Sequence, residues 1–511
     1  MSQTHPNVVV LMTDQHRAGL TAGEGGRHDT MPRLDALLDS GARFDRAYTT
    51  SPACVPARTS LLTGRFPTAH RVRQNSTAAS ALYERDLLDV LRSAGYSLHF
   101  CGKPHMHRGP DDFDSFHGPY MHEHGPRRTP EDAAFDEWLH GLDHRVAGEP
   151  SPHPVSAQLP YRIVSDAVDV LDQVGDDRPF FLWVSFPEPH NPYQVPEPYF
   201  SMFGEQDVPP RLAGPEALED LSWRYRWLHR LISDKRPGFD DEWRRYRANY
   251  LGMLRLLDDQ IGRLLDHLGD RLEDTVVVFL SDHGDYVGEY GLQRKGAGMS
   301  EALMRVPFGV AGPGVVTGRH RELVSLADVL PTVCDWLDQD LPAGVQGRSL
   351  APLLIGAEGP PEEFGSMLGE LGYGGVSYDE TDRPPLHFPY EGTTFDELNS
   401  VTQSGGLRML VTERYKLLVD DRGEEELYDL DMDPAEQINR VDDPEVREVR
   451  DELRLLLVRW MIRAADDLPV GQYMPKTRPH NWRWVIGDTG PADTPGSELA
   501  PAASGSGAPD N

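Results

Sequence analysis

Three cysteines in 511 residues (Cys54, Cys101 and Cys334) are too few for a disulfide framework. No stretch approaches the roughly 18 apolar residues that read as a membrane helix, so no membrane span is expected. Residues 1–7 carry neither a basic n-region nor an apolar h-region. No secretory signal is therefore expected, and the expected location is cytoplasmic. Basic residues are also short: 50 Lys+Arg stand against 82 Asp+Glu, a formal net charge of −32. Such a surface repels phosphate backbones and anionic lipids, which argues against nucleic-acid and membrane partners. An anionic small molecule needs a local basic pocket to override that field. The remaining composition, 39% hydrophobic and 26% charged, is that of a globular chain. The length exceeds one small core. Oligomeric state is left open, a homo-oligomer included.

Residues 8–12 are a short apolar run ending at Thr13-Asp14-Gln15, the pattern of a buried parallel strand with polar groups at its carboxyl end. Helical spacing covers residues 31–40, 84–94, 161–173 and 242–268. Strand patterns cover 44–48, 96–101, 180–186 and 275–280. This alternation predicts a doubly wound α/β sheet flanked by helices, with ligands at the carboxyl ends of its strands. Residues 105–160, rich in His, Pro and Asp, read as irregular loop near the site mouth. From about residue 365 the texture changes to short strands at 407–412, 415–419 and 426–430, then a helix at 445–464. The expected organisation is a catalytic α/β domain over 1–364 and a smaller α+β domain with an antiparallel sheet over 365–487. Residues 488–511, rich in Pro, Gly, Ala and Ser, are expected as a disordered tail.

Two polar clusters end the outer strands of that pattern, Asp14-Gln15 and Asp282-His283. Alone, each is an ordinary cap or turn. On parallel strands of one sheet they place three oxygen donors and an imidazole around a divalent cation. Oxygen ligands favour Ca²⁺, and the imidazole admits Mn²⁺ or Zn²⁺. Ca²⁺ is the first expectation and Mn²⁺ the alternative.

Residues 51–64 read Ser-Pro-Ala-Cys54-Val-Pro56-Ala-Arg58-Thr-Ser-Leu-Leu-Thr-Gly64. This C-x-P-x-R…L-L-T-G run resembles the core signature of the type I sulfatase family, within the alkaline phosphatase-like superfamily. Residues 95–105 (Gly-Tyr…Gly102-Lys103-Pro-His105) resemble the second sulfatase signature, with Leu98 in place of its usual hydroxyl residue. Pro189-His190-Asn191-Pro192-Tyr193 and Lys295 also match family positions, as does the Glu301…Arg305-Val306-Pro307 stretch. Residues 426–439 resemble the family's C-terminal segment and are read, with Glu301 and Arg305, as structural.

The resemblance implies that Cys54 is converted to Cα-formylglycine by a formylglycine-generating enzyme, and that its hydrate is the nucleophile. It implies metal roles for Asp14, Gln15, Asp282, His283 and residue 54. It implies that Arg58 secures the site geometry, and that Lys103, His105, His190 and Lys295 face the sulfate. His190 is the proton donor to the leaving group in this reading, and His107 is a rival for His105. The implied activity is hydrolysis of a small sulfate monoester to an alcohol and sulfate. Gln15 and His283 depart from the commoner Asp-Asp and Asp-Asn pairs and resemble choline sulfatases and phosphonate monoester hydrolases. A phosphonate or phosphate ester is thus the alternative substrate. A scaffold without turnover and a Cys54 thiol hydrolase are rival readings of another kind. Trp183, Trp223, Trp227 and Trp243 are candidates for an aromatic cage around a cationic alcohol, or for packing.

Overall fold

The computed structural model describes residues 5–175, 177–359, 361–372, 378–384, 389–390, 393–394 and 404–465. The segment expected as a tail lies outside these residues. Eight strands form the central sheet: β1 (Asn7–Asp14), β2 (Ala42–Phe44), β3 (Ser97–Gly102), β4 (Ser115–His117), β5 (Phe180–Pro189), β6 (Thr275–Ser281), β7 (Phe308–Ala311) and β8 (Gly318–His320). Their order is β4-β3-β5-β1-β6-β7-β2-β8. Strands β4 to β6 run parallel, β7 is antiparallel to both its neighbours, and β8 is parallel to β2. The expected α/β fold with a mixed sheet is therefore present.

Burial on both faces explains the continuous apolar character of β1. In register, Val8 sits between Phe181 and Val276, and Val10 between Trp183 and Val278. Successive side chains point to opposite faces. Val8, Val10 and Met12 join one core layer with Ala57, Leu61, Val90 and Leu330. Val9 and Leu11 join the other with Ile163, Leu254, Leu257 and Ile261. The helices of that second layer are Leu159–Gln173 and the long Trp243–Leu268. Each fully buried aliphatic side chain contributes about 1.5–3 kcal/mol relative to exposure.

Two readings are corrected. The expected strand at 44–48 is two short strands, β2 and Ala47–Tyr48, and the second pairs with Val324–Ser325 rather than with the central sheet. Residues 105–160 are not wholly irregular: they hold β4 and a helix, Pro130–Gly141, started by Thr129, whose side chain accepts from the Asp132 amide.

The C-terminal strands are β9 (Ser366–Leu371), β10 (Leu407–Thr412), β11 (Tyr415–Asp420) and β12 (Glu425–Asp429), all antiparallel in that order. The Arg447–Ala464 helix covers them through Leu453, Leu457 and Trp460. Tyr48, Phe66, Met299 and Met304 extend this core into the larger region. Lys416, fully buried, lies 3.2 Å from Glu301 and 2.8 Å from Glu436, so an ion-paired group links the two parts. Among the described residues no helix is long and apolar enough to cross a membrane.

Candidate active site

The carboxyl ends of β1, β3, β5 and β6 converge on the N-terminus of the buried helix Cys54–Thr63. Cys54 is the first residue of that helix, where unpaired N–H groups favour negative charge. The helix ends at Gly64 in the left-handed region (φ 63°), which glycine adopts without strain. At the end of β1 the chain turns sharply: Gln15 has φ 68°, and its carbonyl accepts from the Tyr250 hydroxyl at 2.5 Å. Gly102 ends β3 with φ 128° against the Ser185 carbonyl, where any Cβ would collide. That close approach delivers Lys103 into the site.

Arg58 holds the centre together. Its Nη2 lies 2.9 Å from Asp14 Oδ2 and its Nε 2.9 Å from Asp282 Oδ2, with all three side chains fully buried. Its Nη1 donates to the Lys103 carbonyl at 2.9 Å and to Ser185 Oγ at 2.8 Å. Lys103 Nζ lies 2.8 Å from Asp14 Oδ2. The cations thus take the Oδ2 atoms. Asp14 Oδ1 instead faces Cys54 Sγ at 3.7 Å, and Cys54 Sγ lies 3.3 Å from His283 Nε2.

His283 points Nδ1 at the Gly284 carbonyl, 2.9 Å away. Facing a carbonyl, Nδ1 is the donor, which leaves Nε2 as the nitrogen that a cation would bind in exchange for its proton. Burial lowers this imidazole, but the Asp282 and Cys54 charges outweigh it and raise it above the ordinary histidine range. Ligand atoms of Asp14, Cys54, Asp282 and His283 all lie within 4.8 Å of one another. Asp282 Oδ1 also accepts from the Gln15 amide at 3.0 Å and the His283 amide at 2.9 Å.

The electrostatics fit a bound cation. Burial alone would raise Asp14, but Lys103 and Arg58 outweigh it and hold the carboxyl well below its usual range. Burial and then the Asp14 charge raise Asp282, the mark of two carboxylates sharing a dry site. Burial and Asp14 push the Cys54 thiol up, yet Lys295, Lys103 and His283 together bring it down to about 5. A divalent cation would relieve the carboxylate repulsion, and the donor set of two carboxylates, an imidazole and residue 54 suits it.

Gln15 is oriented from three sides. Its Oε1 accepts from Lys295 Nζ at 3.0 Å, and its Nε2 donates to Asp285 Oδ2 at 2.7 Å and to the Tyr193 hydroxyl at 3.2 Å. Lys295 Nζ also meets His190 Nε2 at 3.1 Å. His105 stands near the same charges: burial first, then Lys103, push it well below the usual histidine range. His107 is elsewhere, 3.0 Å from Asp86 and packed on Tyr83, which separates it from the site. Asp14, Gln15, Cys54, Arg58, Lys103, His190, Asp282, His283 and Lys295 each contact another member of the site, and His105 feels the charges of Lys103, Asp14 and Lys295.

Two positioning residues escaped the sequence reading. Buried Asp285 accepts from Gln15, Tyr193, Tyr246 and the Arg294 amide. Ser185 seats Arg58. Asp285 stands three residues after Asp282, and that proximity was its only signal. The tryptophans pack instead of forming a cage. Trp183 lies in the core against Phe100, and Trp223 and Trp227 pack together in a separate apolar cluster. Trp243 is met by Arg211, Arg244 and Arg247, so the chain's own cations occupy its surroundings.

The sulfatase family model matches residues 6–339. An arylsulfatase of Clostridium perfringens is 30% identical over 488 residues, covering 89% of this chain and 94% of that protein. A choline-sulfatase of Rhizobium meliloti is 28% identical, covering 87% and 84%. Among solved structures, a phosphonate monoester hydrolase of Silicibacter pomeroyi superposes with a TM-score of 0.75 at 22% identity, covering 91% of this chain and 96% of that one. With two strand-end acidic clusters, a buried Arg58 between them and this similarity over most of its length, the chain belongs to the sulfatase family and is a sulfuric ester hydrolase.

Proposed function

We propose that the chain hydrolyses a small sulfate monoester through a formylglycine at position 54 and a divalent cation held by Asp14, Gln15, Asp282 and His283. The observation that carries this is the convergence of Asp14 Oδ1, His283 Nε2 and Cys54 Sγ at one point, backed by three cations. Formylglycine supplies a hydrated aldehyde as nucleophile, and the cation supplies Lewis-acid polarisation. Ca²⁺ is the ion proposed, with Mn²⁺ the competitor.

The chain's own residues do the rest. Lys103, Lys295 and Arg58, all buried, put positive charge where the sulfuryl group spreads negative charge. They also create the local basic pocket that the −32 surface requires. His190 turns Nε2 into the site and passes a proton to the departing alcohol oxygen. Lys103 and His105 hold the sulfate oxygens. A cytoplasmic location is proposed with this reading, on imported esters.

The test is mass spectrometry of the peptide around residue 54, with turnover of aryl sulfate and phenyl phosphonate esters side by side. Protein from its own host, or co-expressed with a formylglycine-generating enzyme, is expected to carry the aldehyde and to prefer the sulfate. An intact cysteine without sulfate turnover would overturn the reading. Faster phosphonate turnover would transfer the same site to the alternative ester.

A further inference from the structure

A second group of ligating side chains lies beside His190. The turn Met121–His124, closed by a 2.7 Å hydrogen bond from the Met121 amide to the His124 carbonyl, carries His122 and Glu123. The Pro130–Gly141 helix then leads into Asp143 (φ 48°) and His144 (φ 60°). Val146 pairs with Tyr193, which pulls this segment back across the site. Two left-handed, non-glycine residues in succession are costly, and the cost is met where the backbone must aim a side chain. Here it aims His144.

From this geometry we infer that His122, Glu123 and His144 form a binding site for a zinc-class divalent cation, separate from the Asp14-Cys54-Asp282-His283 cluster. One ligand atom from each lies within 4.8 Å of the others. His144 Nδ1 and Glu123 Oε1 are 3.3 Å apart, the edge of a tetrahedron whose bonds to a central ion are about 2.0–2.1 Å.

The surroundings hold these donors in place as outer partners do around bound metals. Glu123 Oε2 meets His140 Nδ1 at 2.9 Å. The Asn191 amide donates to His144 Nδ1 at 3.1 Å, a hydrogen bond that a cation would replace at that nitrogen, and the Arg294 guanidinium donates to the His144 carbonyl. The His122 ring lies 5.3 Å from that of His144 and 4.7 Å from that of His190. His144 is buried, while His122 and Glu123 are half-buried, so the cluster is reached from solvent on their side.

The donor chemistry selects the ion. Two imidazoles and one carboxylate suit Zn²⁺ with an exchangeable fourth ligand, whereas Ca²⁺ takes oxygens. The two clusters therefore differ in preference. A cation here adds positive charge beside His190, where the alcohol side of an ester leaves. The inference does not depend on the proposed reaction.

The probe is Co²⁺ alone, added to chelator-stripped full-length protein preloaded with Ca²⁺. The expected result is about one Co²⁺ per chain, with the visible absorption of a four-coordinate ion, displaced by Zn²⁺. Glu123→Gln and His144→Ala are each expected to weaken that uptake at least tenfold, and Asp282→Asn to leave it in place. Glu123→Gln conserves shape at a half-buried position, so its result does not hinge on folding. Wild-type protein that takes up no Co²⁺ beyond the Ca²⁺ cluster would overturn the inference. So would absorption that survives Glu123→Gln, or that disappears only in Asp282→Asn.

Discussion

Lys295 Nζ stands 3.1 Å from His190 Nε2, while His190 turns Nδ1 to the Asn191 carbonyl at 2.8 Å. The carbonyl makes Nδ1 a donor and leaves Nε2, beside the lysine, as the nitrogen that faces the leaving group, to which it gives a proton when the ring carries its second proton as an imidazolium. His190→Ala is expected to lower kcat by about 10²–10⁴ on alkyl sulfates. The defect should shrink on aryl sulfates, whose better leaving groups need less protonation. Lys295→Ala should show the same leaving-group trend together with a raised KM, because it also loses an anion contact. Equal defects on both ester types would remove His190 from the proton-donor role.

Unconverted protein offers a direct reading of the site's field. Cys54 is brought down to about 5 against burial by Lys295, Lys103 and His283. Burial pushes Cys334 up to about 12 and raises Cys101 as well. At neutral pH the thiolate signal therefore belongs to Cys54. The ultraviolet thiolate absorbance of metal-free protein should persist as pH falls, with a midpoint near 5, and Cys54→Ala should abolish it. Lys295→Ala should move the midpoint upward. A midpoint near 8 to 9, the ordinary thiol range, would contradict the described field.

The strand-end residues were legible because each follows an apolar run that only a doubly buried strand explains. Asp14 follows residues 8–12, and Asp282 follows 275–280. The strand at 407–412 was read at its observed limits, and the helix at 445–464 differs by two residues at its start. The Pro130–Gly141 helix was missed because it buries little apolar surface beyond Phe135 and Leu139 in a His-, Pro- and Asp-rich segment. Its Thr129 cap and Pro130 were the available signals. Asp285 and the His122–Glu123–His144 group were not legible, because their partners come from distant segments such as Tyr193, Tyr246 and Asn191.

Arg58 pairs with two fully buried carboxylates at once, so its removal is a larger loss than that of a surface ion pair. Arg58→Ala is expected to cost about 3–5 kcal/mol, since it strands buried charge. Thermal or denaturant unfolding measures this. If the cluster holds a divalent cation, added Ca²⁺ should recover more stability in Arg58→Ala than in wild type, because the ion takes over the neutralising role. A loss under 1 kcal/mol, or no Ca²⁺ difference, would mean that Asp14 and Asp282 are not the paired centre described.

Glu188 sits one residue before the Pro189-His190 segment, nearly fully buried, and burial raises its carboxyl from 4.5 to about 8. The folded state therefore prefers the protonated form, while the unfolded chain ionises near 4.5. The stabilising contribution is complete below 4.5 and is lost as pH rises towards and through about 8. Glu188→Gln keeps the neutral shape and removes the titration. Unfolding free energies measured from pH 4 to pH 9 should show wild type falling progressively behind Glu188→Gln, with the gap levelling off above about 8. Parallel curves would show that Glu188 is ionised in the folded protein. In that case the backbone hydrogen bond to its carboxyl and then Lys103, which oppose the burial, dominate the environment next to His190.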